Sequence, residues 1–212
     1  MKSIIYGLFG ICALTACLLS AAPEPAIIQS SSQWTIDTEF TNPQKIFVRF
    51  TSDNRPIVFW YMIITITNKT GDDVDFYPKC DLMTDTFKIV PQGEGVIPSV
   101  FEQIKQRHNN RYPFLESLDQ TDNKLLEGED NAKDLAIIWP DFDKNATKIT
   151  LFITGLSNET AVVNHPVAKD ENGQPLKVYL RKTLELKYTV KNDPVSREGV
   201  SLSFESKRWI MR

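Results

Sequence analysis

The chain has 212 residues, a formal net charge of −3 and a hydrophobic content of 42%, values that are ordinary for a globular protein. They exclude a disordered, collagen-like or coiled-coil chain, and the length fits one main domain. Because the charge is mildly acidic and no basic block is present, the sequence predicts no nucleic-acid partner. Two histidines and three cysteines also leave little material for a metal or nucleophile site.

The first 22 residues are typical of an export signal. Residues 4–19, IIYGLFGICALTACLL, follow a single lysine and precede the small residues Ser20-Ala21-Ala22. This apolar run is shorter than the ~20 residues that a membrane-spanning helix needs. We therefore predict that residues 1–22 are a signal peptide and that the chain is exported to the periplasm or cell envelope of a bacterium. A retained N-terminal anchor is the alternative.

Two modes of signal processing stay open. Leu14-Thr15-Ala16-Cys17 resembles a bacterial lipobox, which predicts lipidation of Cys17, although Leu18-Leu19 follow where lipoproteins usually turn polar. Cleavage after Ala22 would instead release a soluble protein, although Pro23 is unfavourable after a cut. Membrane contact is thus expected only through an N-terminal lipid or an uncleaved signal.

Signal removal leaves Cys80 as the single cysteine of the mature chain. An exported domain with one cysteine has no internal disulfide, so its stability must come from an ordinary core. We predict that Cys80 is a small buried hydrophobic residue, because free cysteine is among the most buried residue types. A reactive thiol or an intermolecular disulfide is the alternative.

A Pro- and Ser-rich segment, 23–32, is predicted to be a tether, and 33–212 the folded domain. The clearest element in this domain is 177–190, KVYLRKTLELKYTV, where apolar and polar residues alternate. The alternation predicts a strand with one buried and one solvated face. The predicted buried face, broken by Lys182, consists of Val178, Leu180, Leu184, Leu186, Tyr188 and Val190.

The segment 57–67, IVFWYMIITIT, is apolar on both faces at its start. It predicts a central strand, or one that a further element covers on its second face. The turn-forming NKTGDD at 68–73 and the following DVDFY predict a hairpin over 57–77. The residues expected to be buried in this strand are Val58, Trp60, Met62, Ile64 and Ile66.

Many short alternating strands leave little room for crossover helices, which disfavours a parallel α/β sheet. We therefore predict a mainly β fold, an immunoglobulin-like antiparallel β-sandwich, with a closed barrel as the alternative. Further strands are predicted at 34–40, 45–51, 82–90, 135–139, 147–154 and 200–210.

One segment, 91–134, does not keep the strand period and is predicted to be a helical insertion. Within it, 98–108 starts with a proline, lacks glycine and places Phe101 and Ile104 at helical spacing. We expect a short helix that packs on one end or face of the sandwich. Its solvent-facing residues should be Glu102, Lys105, Gln106 and Arg107.

Catalytic and metal motifs are weak. Asp141, Asp143 and Asn145 alternate as in the first half of a calcium loop, but Ala146 and Phe152 stand where glycine and glutamate are needed. A polar turn is the preferred interpretation there, and a solvated hairpin end for the acidic residues at 72, 73 and 75. Neither His108 nor His165, the latter in the turn-like Asn-His-Pro, lies in a catalytic or metal-binding pattern. No catalytic residue, metal ligand or cofactor is therefore predicted.

A resemblance accompanies this layout. The segments WYMIITITNKTGDDVDFYP, EGEDNAKDLAIIWP and ITLFITGLSNET together resemble exported bacterial immunoglobulin-like domains of an uncharacterised family. The resemblance spans roughly 55–190. It implies an envelope-associated β-sandwich and carries over no catalytic residues.

These observations predict a non-enzymatic binding or scaffolding module whose partner is an envelope protein or a glycan. One alternative is an exported hydrolase or carbohydrate-active module that stacks tryptophan on sugar rings. Trp60 and Trp139 lie in apolar runs, so Trp209 is the preferred surface candidate, with Trp34 the remaining tryptophan. The other alternative is a structural subunit of an envelope assembly, joined through an open sheet edge or through Cys80.

Overall fold

The computed structural model describes residues 25–28, 32–50, 53–191 and 199–212. The predicted signal peptide, with Cys17, lies outside these residues. The described residues form a mainly β, antiparallel sandwich with one short helix, α1 (Pro98–His108), as predicted. In chain order the strands are β1 (Ala26–Ile28), β2 (Asp37–Phe40), β3 (Gln44–Phe50), β4 (Asp53–Asn68), β5 (Val74–Asp75), β6 (Lys79–Thr84), β7 (Ile89–Pro91), β8 (Glu116–Ser117), β9 (Lys124–Leu125), β10 (Gly128–Pro140), β11 (Lys148–Thr154), β12 (Thr160–Lys169), β13 (Pro175–Lys191) and β14 (Ser201–Met211).

The first sheet is organised around β13. Along one edge β13 pairs with β12 through its first half and with β11 through its second half, and β6 and β7 follow β11. On the opposite edge β14 pairs only with residues 182–191 of β13, while β1 pairs with the outer edge of β12. The first half of β13 therefore belongs to a narrower part of the sheet than its second half.

The second sheet is organised around β4. β2 and β3 pair with successive parts of one edge of β4, and β10 pairs with the other edge, where Trp139 lies opposite Trp60. β8 adds to β10 in parallel. Because β4 has neighbours on both edges, it is a central strand, as its sequence predicts.

The main core lies between the two sheets. Trp60, Met62, Ile64 and Ile66 of β4 are buried as predicted, whereas Val58 is half-buried at the margin of the core. From the first sheet the buried residues include Cys80, Leu82, Ile149, Leu151, Ile153, Leu184, Leu186, Tyr188 and Val190.

Two features of β13 differ from the prediction. Val178 and Leu180 are half-buried instead of buried, because they lie in the first half of the strand, outside the main core. On the face predicted to be solvated, Thr183 and Glu185 are buried. The Glu185 carboxylate accepts hydrogen bonds from Arg208 and pairs with Lys187, so long cationic side chains cover this face.

The helix explains why β4 is apolar on both faces. Tyr61 and Ile63 point away from the main core and form a second buried cluster with Val100 and Ile104 of α1. The observed bounds of α1 match the prediction, and Pro98 occupies a first-turn position where its missing N–H costs nothing. Of the predicted solvent-facing residues, Lys105 is half-buried and the others, Glu102, Gln106 and Arg107, are exposed.

Three local predictions are wrong. The chain does turn at Gly71, with a φ of +93°, but β5 pairs with β9 instead of returning along β4, whose edges β2, β3 and β10 occupy. The predicted strand 82–90 is the β6–β7 hairpin, closed by hydrogen bonds between Thr84 and Lys88. Within the predicted tether, Ala26–Ile28 form β1, since β12 offers them an edge.

Candidate functional site

A three-stranded arm extends from the first sheet. We define the arm as β1, β12 and residues 175–181 of β13. No residue of the described segment 162–181 is buried, in contrast to the second half of β13. Large apolar side chains are exposed on the arm, with exposed fractions of 82% for Val167, 63% for Tyr179 and 58% for Ile27. Exposed apolar residues gathered on one element mark interaction surfaces more often than isolated ones do.

The arm has an open backbone edge on β13. The Arg181 N–H donates to the Arg212 carbonyl at 2.8 Å, toward β14, whereas the Lys182 N–H donates to the Glu159 carbonyl on the other side. Since backbone groups of successive strand residues point to opposite edges, those of Lys177 and Tyr179 point to the β14 side. β14 does not extend that far, and no strand of the described ranges pairs with residues 175–180 on this side. Four main-chain polar groups are thus available to a further strand.

Side chains along the open edge divide into two kinds. Lys177, Tyr179 and Arg181 lie on one face, and all three are exposed. Val178 and Leu180 lie on the opposite face and are half-buried. The edge therefore combines a basic, aromatic face with an apolar face.

An ion pair joins the arm to the sandwich. The Lys182 ammonium donates to the Glu159 carboxylate and to the Thr35 hydroxyl, and it lies 5.3 Å from the centre of the Trp209 ring. The hydrogen bond from Lys182 lowers the pKa of Glu159. Lys182, which interrupts the apolar face of β13, is therefore accommodated by a partner rather than buried alone.

The segment 32–36 is held against the loop 155–159. The Trp34 N–H donates to the Asn158 side chain at 2.8 Å, and the Trp34 carbonyl accepts from the Ser157 hydroxyl at 2.8 Å. The Ile36 N–H donates to the Leu156 carbonyl. These contacts place the Trp34 side chain where the arm leaves the sandwich.

A cleft of about 250 Å³ lies at this junction, and we call it the base cleft. Gly155, with a φ of +80°, forms part of its wall, and a Cβ there would lie 2.1 Å from the Tyr77 carbonyl oxygen. Only glycine permits this approach between the two segments. The lining residues are Trp34, Asp75, Tyr77, Gly155, Ser157, Asn158, Glu159, Thr160 and Arg181.

A second, larger cleft adjoins the first and has a volume of about 600 Å³; we call it the side cleft. Trp34 and Asp75 line both clefts. The acidic residues 72 and 73, predicted to be a solvated hairpin end, also line the side cleft. Its remaining lining residues are Ser32, Gln33, Thr70 and Val74.

The positions of the tryptophans confirm the sequence expectation for Trp60 and Trp139 but not for Trp209. Trp60 and Trp139 are buried, and Trp209, the preferred surface candidate, is half-buried against the main core. Trp34 is the tryptophan that lines both clefts. Sequence reasoning missed Trp34, Tyr77 and Arg181 as a group because they come from distant segments and share no motif.

The remaining predicted positions serve the fold. Cys80 is 1% exposed, and burial raises the pKa of its thiol, which matches a buried hydrophobic residue and leaves it inaccessible to a partner thiol. Asp141 accepts from the Trp60 indole at 2.9 Å. The Asn145 backbone N–H, Lys88 and Thr86 lower the pKa of Asp143 to about 2, so this segment is an anchored polar turn. Throughout the described part of the chain, no group of three His, Cys, Asp or Glu residues is placed to hold a metal ion.

The two histidines lie on different elements, His165 in β12 and His108 at the end of α1. His165 lies within β12, where its Nδ1 accepts from the backbone N–H groups of Val167 and Ala168, so the turn predicted there is a strand irregularity instead. His108 ends α1, and its Nε2 lies 2.9 Å from the Tyr61 hydroxyl.

His108 is expected to make stability depend on pH. Burial, together with Arg107 and Arg111, lowers the pKa of His108 below its ordinary value of 6.5. The unfolded chain therefore binds this proton at a higher pH than the folded chain does. Stability should fall as pH drops from about 6.5 toward the folded pKa and then level off. Thermal unfolding at pH 7.5 and 5.0 measures this decrease in stability. In His108→Gln the decrease between the two pH values should be smaller than in the wild type. An equal decrease in the two proteins would contradict the role of His108.

No protein-family model, curated protein or solved structure matches the chain. The described residues include no helix with the length and apolar character needed to cross a bilayer.

The class that the structure defines is a two-sheet β-sandwich with a helix on one outer face and a three-stranded arm. The exported immunoglobulin-like family suggested by the sequence stays a prediction.

Proposed function

We propose that the protein is an exported, non-enzymatic module of the bacterial cell envelope, and that it binds an envelope protein through the open edge of β13. The observation that carries the proposal is the unpaired edge over 175–180, next to the end of β14. Proteins normally protect a strand edge of this kind, because its free N–H and C=O groups attract further strands.

The chemistry of the edge specifies the partner segment. Strand addition uses main-chain hydrogen bonds for affinity and alternate side chains for specificity. An incoming strand would place one set of side chains beside Lys177 and Tyr179, where the Lys177 ammonium favours acidic residues, and the other set beside Val178 and Leu180, which favour apolar residues. The partner is therefore expected to offer an extended segment of alternating acidic and apolar residues.

Replacement of Tyr179 by proline tests this edge. The Tyr179 N–H points away from β12, so proline removes a donor from the open edge and none from the existing pairing. We expect Tyr179→Pro to weaken partner binding at least ~10-fold, because it removes one main-chain hydrogen bond and disturbs the strand geometry that the others need. Tyr179→Thr, which keeps the N–H and suits a strand, is the matched control, and equal melting temperatures would show that both variants fold.

Hydrogen exchange followed by NMR provides the measurement. Upon addition of a detergent extract of envelope proteins, the Lys177 amide should gain protection in the wild type and in Tyr179→Thr but not in Tyr179→Pro. Absence of protection, or equal protection in Tyr179→Pro, would refute the assigned edge. If light scattering shows a dimer of the wild type that Tyr179→Pro abolishes, the edge pairs with a second copy of the chain. That result would refute the assignment of an envelope protein as the partner. Turnover of glycan, peptide or ester substrates by the purified protein would refute the non-enzymatic assignment.

A further inference from the structure

We propose that the base cleft and the side cleft together bind a neutral oligosaccharide. This inference concerns a groove next to the open edge of β13; Arg181 borders both, but the inference does not depend on strand addition. It rests on aromatic and polar side chains that converge on one groove from residues 34, 75, 77 and 181.

Three polar side chains of the base cleft are available to a ligand. Within the described residues, the Asp75 carboxylate, the Tyr77 hydroxyl and the Arg181 guanidinium make no intramolecular hydrogen bond or ion pair. Together they offer an acceptor, a group that donates and accepts, and a multiple donor. Each sugar hydroxyl both donates and accepts a hydrogen bond. The three protein groups can therefore form hydrogen bonds with neighbouring hydroxyls of one sugar ring.

Aromatic side chains give the groove apolar walls. Tyr77 is 64% exposed, and Trp34 is half-buried at the boundary between the two clefts. Small-molecule sites combine apolar and aromatic walls with a few placed polar groups. The C–H faces of a sugar ring can pack on these side chains while its hydroxyls reach Asp75 and Arg181.

The groove is fixed before a ligand arrives. Ser157, Asn158 and Glu159 are engaged in hydrogen bonds with residues 32–35 and Lys182, so they shape the wall rather than await a partner. The contact between Gly155 and Tyr77 fixes the opposite wall. A preformed site binds with a smaller loss of conformational entropy.

Size and charge select the ligand class. The base cleft, at about 250 Å³, is smaller than the roughly 300–1,000 Å³ usual for ligand sites, but a chain that passes Trp34 also occupies the side cleft of about 600 Å³. Asp72, Asp73 and Asp75 give the side cleft an acidic character. Of these three carboxylates in the described structure, only that of Asp73 forms an ion pair, with Lys124. Repulsion by these carboxylates disfavours an anionic chain in the side cleft, although Arg181 lines the base cleft, and we therefore assign a neutral glycan.

Calorimetric titration with two neutral hexasaccharides, those of N-acetylglucosamine and of glucose, tests the proposal. We expect at least one to bind, and Tyr77→Ala and Asp75→Asn each to weaken that binding at least ~10-fold, a change equal to about 1.4 kcal/mol. Phe114→Ala is the matched control, because Phe114 is an exposed aromatic residue outside both clefts. A hexamer of galacturonate should bind at least ~10-fold more weakly.

Failure of both hexasaccharides at millimolar concentration would overturn the proposal, as would binding that Tyr77→Ala and Asp75→Asn leave unchanged. Tighter binding of the galacturonate hexamer would overturn the assignment of a neutral ligand. Tyr179→Pro should leave glycan binding intact. The glycan site and the strand edge can therefore fail separately.

Discussion

Replacement of Gly155 by alanine is expected to lower the free energy of unfolding by about 3–5 kcal/mol. The added Cβ would lie 2.1 Å from the Tyr77 carbonyl oxygen and 2.9 Å from the Pro78 Cα, both of which are backbone atoms. A φ of +80° further disfavours any residue with a Cβ. The two segments must therefore separate, which also opens the wall of the base cleft. Urea denaturation measures the loss of stability.

Gly71→Ala is the control for Gly155→Ala. Gly71 has a φ of +93°, but no atom lies within 4 Å of the position that a Cβ would take. Backbone strain alone should therefore cost about 1–2 kcal/mol. Equal losses in the two variants would show that the close approach to Tyr77 contributes nothing.

Truncation of Leu184 to alanine is expected to cost about 2–5 kcal/mol. Leu184 is fully buried in the main core, next to Ile153 in the sheet, so the change removes buried methyl groups and leaves a cavity. Urea denaturation again provides the measurement, with a melting temperature as a second probe.

Leu180→Ala, on the same face of the same strand, is the matched control. Because Leu180 is half-buried on the arm, its truncation should cost about 1 kcal/mol or less. Similar losses at the two positions would indicate that the arm is packed as tightly as the core, which would contradict its description as an extension of the sheet.

Local patterns determined the elements that the chain forms. The alternation over 177–190 and the two-sided apolar run over 57–67 correspond to β13 and β4, and the helical spacing over 98–108 corresponds to α1. These patterns succeed because burial of one face requires a period of two in a strand and 3.6 in a helix, and both can be read within a few residues. For β4 they left open a central position or a cover on the second face; the strand has both, and α1 provides the cover.

Strand partners were decided by the tertiary structure. The segment after Gly71 has the composition of a hairpin, yet β5 pairs with β9, because neighbours from distant parts of the chain already occupy both edges of β4. β1 and β12 escaped prediction since their exposed side chains give no clear alternation. Pairing depends on which edges remain free after the sheets assemble, and this competition has no local signature.

The sequence by itself determined the β class, the core faces of the long strands and the helix; the candidate binding surfaces came from tertiary structure alone. The open edge of β13 exists because β14 pairs only with residues 182–191. The two clefts exist because the segment 32–36 is fastened to the loop 155–159, which brings Trp34 beside Asp75 and Tyr77. Periodicity records which side of an element is buried, whereas a groove between segments far apart in the chain depends on where the packed sheets place them.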